Sequence, residues 1–190
     1  MLGLRFLVSK TKNFFFVTAF FYAFGTNTAQ TLPEIPQHFN PEVAADYAPY
    51  DSSILQIINY TATHRTDKND IPQKEATAFA IQWLAGSPNV KITIEEPFIM
   101  PILKHKKFTY SNEMLVQYMF GMTKIVLENK EKTLSETAIQ TAGISTLVGF
   151  YKDLNCKPRV KLLRKYKRLE RRNKLEKWID KKLKKYYGKK

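Results

Sequence analysis

The sequence predicts an all-α protein, an irregular bundle of about five to seven helices with amphipathic, basic helices at the C-terminus. Three observations carry this expectation. Apolar residues recur at the i, i+3, i+4 spacing of a buried helix face in segment after segment. Cap residues and prolines flank those segments where helices start and stop. Period-two alternation occurs at Val90, Ile92 and Ile94, but a lone short strand has nothing to pair with, so residues 90–99 are expected to form an extended connector packed on helices.

Residues 1–29 have the parts of a secretory signal peptide. Arg5, Lys10 and Lys12 precede an apolar run from Phe14 to about Gly25, and Thr28-Ala29 precede Gln30. An apolar run of about 12 residues fits a signal peptide, whereas crossing a bilayer takes about 20. The expectation is export, to the periplasm or the medium, with no membrane span left after cleavage. Residues 30–50 hold four prolines and read as an extended arm, with one helical turn starting at Asn40-Pro41.

Residues 51–157 read as a helical domain. A helix is predicted over about 53–64, capped by Asp51 or Ser52, with Ile54, Leu55, Ile57 and Ile58 on its apolar face. The next has Asp70 as cap, Pro72 in its first turn, and Ala76, Phe79, Ala80, Trp83 and Leu84 along one face. Gly86 fits the left-handed position after its end, and Pro88 marks the stop. A third starts at Ser111 or Asn112 and turns Leu115, Tyr118, Met119, Met122, Ile125 and Val126 inward. A fourth carries Ala138, Ile139, Ala142, Leu147, Tyr151 and Leu154, with Gly143 and Gly149 permitting close helix approach. Short loops between these helices favour antiparallel neighbours.

Residues 158–190 form a basic tail. Of the 31 Lys and Arg in the 190-residue chain, sixteen lie in 159–190 against three acids, which accounts for nearly all of the net charge of +14. On a helical wheel Leu162, Leu163, Tyr166 and Leu169 make one stripe, and Leu175, Trp178, Ile179, Leu183 and Tyr186 make another, rotated about half a turn at 100° per residue. One straight helix would smear them. Two helices, at about 158–171 and 174–186, resolve the conflict, with Asn173 and Glu176 as an approximate capping box at the break.

A charge asymmetry of this kind implies an anionic partner for one region. The candidate contacts are Arg164, Lys165, Lys167, Arg168, Arg171, Arg172, Lys174, Lys177, Lys181, Lys182, Lys184 and Lys185, with Trp178 among them. Behind a signal peptide, the partners such a surface fits are an anionic membrane surface, a glycolipid or an acidic protein. Nucleic acid is the alternative if the N-terminus is not a signal, with Tyr166 and Trp178 stacking on bases. The competing reading makes the cations a solvated face whose apolar side docks on the body.

Motifs of catalysis are missing. His38, His64 and His105 have no metal-ligand spacing, and Glu95 and Glu96 face opposite ways in an extended segment. The serines lack a nucleophile elbow, there is no glycine-rich phosphate loop, and Cys156, the single cysteine, reads as inert. The expectation is a non-enzymatic protein that needs no cofactor or metal. An exported enzyme without a recognisable linear motif is the other alternative.

Overall fold

The computed structural model describes residues 31–64, 70–154 and 160–188. Among them are seven α-helices, preceded by two short 3-10 turns, and no strand. The signal-like segment, Cys156 and Pro158 lie outside the described residues.

The arm runs extended to Val43 and then makes the turns Ala44–Asp46 and Ala48–Tyr50, a few residues beyond the turn predicted at Asn40-Pro41. Asp46 closes the first turn by accepting the N–H groups of Glu42 and Val43 at 2.8 and 3.0 Å. Those bonds favour its ionised form and hold its carboxyl below the usual value. Phe39 meets Tyr47, Tyr50 and Phe79 edge-to-face at 5.2–5.6 Å, which seats the arm on the helices.

Helix α1 spans Asp51–Thr63 and buries Ile54, Ile57 and Ile58. Its N-cap is Tyr50, without a side-chain cap; Asp51 pairs instead with Lys130. Helix α2, Ile71–Gly86, is capped as expected, with Asp70 Oδ1 accepting the Gln73 N–H at 3.0 Å. The predicted left-handed Gly86 is a correction. It ends the helix with ordinary dihedrals, and its missing Cβ leaves room for the ring of Tyr47, whose Cζ would lie 3.0 Å away. Trp83 donates its indole N–H to the Tyr47 carbonyl at 3.1 Å, locking the same contact.

The connector is shorter than predicted. It is extended only to Glu95, and α3 occupies Glu96–Leu103. Pro97 sits in the first turn, where no N–H is needed. Phe98, Ile99 and Ile102 are fully buried, so packing outweighs the helix-breaking Pro101.

Helix α4, Ser111–Glu128, and α5, Glu136–Asp153, form the central antiparallel pair. The N-cap of α4 is Tyr110 rather than Ser111 or Asn112; the Ser111 hydroxyl donates to the Phe108 carbonyl at 3.0 Å. Ser135 caps α5 by accepting the Ala138 N–H at 3.2 Å. The single stripe predicted on α4 is replaced by burial on two sides. Met114, Tyr118 and Met122 enter a core with α3, α5 and the helices of the basic segment, whereas Phe120 and Leu127 enter a second core with α1 and α2. On α5 the fully buried face is Gln140, Gly143, Ile144, Leu147, Val148 and Phe150; Ala138, Ile139, Ala142 and Tyr151 are only half-buried. A Cβ on Gly143 would lie 2.7 Å from Met122 Cγ and 2.8 Å from the Tyr118 carbonyl. That glycine sets the close approach of α4 and α5. Gly149, where an added methyl would have nothing within 4 Å, does not.

Candidate anionic-surface interface

The basic segment forms two helices, α6 at Lys161–Arg171 and α7 at Leu175–Tyr187. The break falls where the two apolar stripes demanded it, but its chemistry differs from a capping box. Asn173 has φ 51, and the N-cap of α7 is Lys174, without a side-chain cap. The amides of Asn173 and Lys174 bond back to the carbonyls of Glu170 and Leu169, each at 2.9 Å. This is a Schellman ending, with asparagine in the left-handed position that glycine more often fills.

Leu163, Tyr166, Leu175, Ile179 and Leu183 are buried in the same core as α3, α4 and α5. Tyr166 donates its hydroxyl to the Phe98 carbonyl at 2.9 Å, and burial pushes its ionisation well above the usual tyrosine value. A fully buried Tyr166 cannot stack on a base, which removes one of the two rings proposed for nucleic-acid stacking. The other, Trp178, packs on Phe98 and meets Tyr166 edge-to-face, with centroids 6.0 and 5.7 Å away.

With the apolar stripes turned inward, the charges project outward. Of the thirteen candidate contacts, Arg164, Lys167, Arg168, Arg171, Arg172, Lys174, Lys177, Lys181, Lys182, Lys184 and Lys185 are exposed, and Lys165 and Trp178 are half-buried. The three acids on these helices do little to offset them. Glu170 is taken by Lys152 of α5 at 2.8 Å, and Asp180 by Lys184 at 2.8 Å. Among the described residues, Lys184 is the one candidate cation in an ion pair. Lys165 and Lys182 place their ammonium groups 4.4 and 5.6 Å from the Trp178 ring centroid, one from each helix. Partial burial, then the charges of Lys182 and Arg168, hold Lys165 below the usual lysine value.

A polar network that the sequence did not announce anchors the far end of α7. Glu95 is only 3% exposed, and its carboxylate accepts the Tyr187 hydroxyl. That bond to an anion, with lesser help from burial, pushes the Tyr187 ionisation up to about 12. Nearby, the buried Tyr118 hydroxyl donates to Gln140 Oε1, and Gln140 Nε2 donates to the Thr93 carbonyl and to Glu136 at 2.7 and 2.6 Å. Tyr118 is raised chiefly by burial. Glu96, the neighbour of Glu95, is exposed.

The described residues form several open grooves, and one of about 400 Å³ has His38, Asp46 and Tyr50 in its lining. A groove of about 460 Å³ is lined by Lys91, Asn129, Lys130, Lys132, Leu134 and Ile139, with Pro88, Asn89 and Val126, and its lining has no carboxylate, histidine or hydroxyl. Among the described residues no three His, Cys, Asp or Glu side chains gather as for a metal, and no helix is long and apolar enough to cross a membrane. His64 is exposed and stacks on Tyr60 at 3.9 Å. Comparison with protein-family models, with curated proteins and with solved structures finds no significant match for this chain.

Proposed function

We propose that this is an exported, non-enzymatic helical protein that holds to an anionic lipid or glycolipid surface of the cell envelope through the outer face of α6 and α7. The observation that carries the reading is the division of labour on these helices. Their apolar stripes are used up in the core, and their cations, mostly without acidic partners, are left facing solvent. A surface with many equivalent phosphates suits such a face, which carries many charges along two helices.

Attachment of this kind is peripheral and electrostatic. Trp178 is covered by Phe98 and Tyr166, so it does not serve as a free wedge into the headgroups. Each Lys or Arg near an anionic surface contributes about 1 kcal/mol, and five or six acting together give useful affinity. Co-sedimentation with vesicles tests this. Binding is expected to anionic vesicles and not to neutral ones, and to weaken steeply as the Debye length falls from about 10 Å at 0.1 M salt to about 3 Å at 1 M. Neutralising Lys165, Arg168, Arg172, Lys177, Lys181 and Lys185 to Gln should abolish it. Salt-insensitive binding, or none to any anionic vesicle, would overturn the reading. Binding to acidic protein alone would move the partner to that class.

A further inference from the structure

The cations of α6 and α7 are not evenly spread, and one group of them is built rather than scattered. Lys165 comes from α6 and Lys182 from α7, yet both ammonium groups lie within 5.6 Å of the centroid of one indole ring. Arg168 is three residues after Lys165, one turn along the same helix, and so is its neighbour on the surface. The ring itself is held by contacts with Phe98 and Tyr166. Like charges gathered in this way repel, and Lys165 is held below the usual lysine value first by partial burial and then by the charges of Lys182 and Arg168. The face of an indole attracts cations and so offsets part of that repulsion. It does not neutralise the charge, and among the described residues neither Lys165, Lys182 nor Arg168 is in an ion pair.

We propose that Lys165 and Lys182, both over the ring of Trp178, form with Arg168 of the next turn of α6 a binding site for a phosphate monoester group. This rests on the surface-binding reading above and names the chemistry at its centre. A single carboxylate supplies one charge, too little for three cations. A phosphate monoester carries between one and a half and two charges near neutral pH, and three acceptor oxygens. Arg168 can offer it a forked pair of donors, and the two lysines one ammonium each. Lys182 and Arg168 are exposed, so the group can enter from solvent.

The experiment compares vesicles doped with phosphatidic acid, a monoester headgroup, with vesicles doped with phosphatidylglycerol, a diester, matched for surface potential. The full chain should bind the monoester vesicles about tenfold more tightly. In the double variant Lys165→Gln/Lys182→Gln that preference should vanish. Removing the same two charges elsewhere on α7, as Lys177→Gln/Lys181→Gln, should weaken binding to both vesicles alike and leave the preference intact. Circular dichroism checks that each variant is folded. Competition by soluble glycerol phosphate would assign the site to the phosphate group from either source, and preference without competition would assign it to phosphate presented by a lipid. No preference in the wild type, or a preference that survives Lys165→Gln/Lys182→Gln, would overturn the site while leaving the electrostatic face standing. A wild type that binds neither vesicle would instead overturn the reading beneath it.

Discussion

Gly143 and Gly149 lie on the same helix, and the fold uses them in opposite ways. A methyl at Gly143 would press on the Tyr118 carbonyl, which is backbone and cannot swing aside, as well as on the side chain of Met122. Overpacking of that kind costs about 1–3 kcal/mol. At Gly149 the methyl meets open space, and alanine in a helix interior is better than glycine by about 0.5–1 kcal/mol. Gly143→Ala should therefore lower the denaturant midpoint and Gly149→Ala should raise it, with the slope of unfolding unchanged in both. A shared sign would mean that α4 and α5 are not as close as described. The sequence marked both glycines as sites of close approach. It could not separate them, because which side of α5 faces α4 depends on a rotation of the helix that its broad apolar surface leaves open.

At the scale of elements, α7 is held at its far end by a bond spanning 92 residues of sequence, from the Tyr187 hydroxyl to buried Glu95. Tyr187→Phe leaves that carboxylate without its donor, at a cost of about 1–3 kcal/mol. Faster amide exchange in the last turn of α7 should accompany it. The bond also sets an alkaline limit. Tyr187 ionises near 10 when unfolded and near 12 when folded, so its contribution is complete below pH 10 and is lost as pH rises toward 12. Tyr118 and Tyr166, raised further still, add to the same decline. The difference between wild type and Tyr187→Phe, followed by unfolding at several pH values, should shrink across that window. A constant difference would show that the hydroxyl carries no such linkage. None of this was legible beforehand, because adjacency in space across so many residues leaves no periodic trace. The break between α6 and α7 was legible, because two stripes half a turn apart cannot share one straight helix. The role of Asn173 was misread, since asparagine followed by Glu176 satisfies a capping pattern as well as a left-handed helix ending. Helix α3 was hidden by two prolines in eight residues, and the double burial of α4 was hidden by the expectation that a helix has a single inner face.

For the molecule as a whole, the question is whether the basic segment is an appendage or part of the body. Two cores meet at α4. One is closed by α1 and α2; the other is closed by α6 and α7, through Leu163, Tyr166, Leu175, Ile179 and Leu183. Burying one large apolar side chain contributes about 1.5–3 kcal/mol, and a domain's whole margin is about 5–15 kcal/mol. Five such side chains rival the entire margin. A chain ending at Asp153 should therefore lose cooperative melting and expose apolar surface to a dye such as ANS. It should not survive as a stable body that has merely lost its charge. Neutralising the six cations named above leaves the apolar core untouched, Lys165 alone among them being half-buried, and relieves repulsion among like charges, so that variant should melt cooperatively, within about 1 kcal/mol of wild type. The pair of results separates two properties that a deletion would confound. If the truncated chain melts cooperatively near the wild-type temperature, α6 and α7 are dispensable to the core, and the inward turn of their stripes no longer explains why their charges face out. If it unfolds while the neutralised chain stays folded and releases anionic vesicles, the same two helices close the core with one face and present the binding surface with the other.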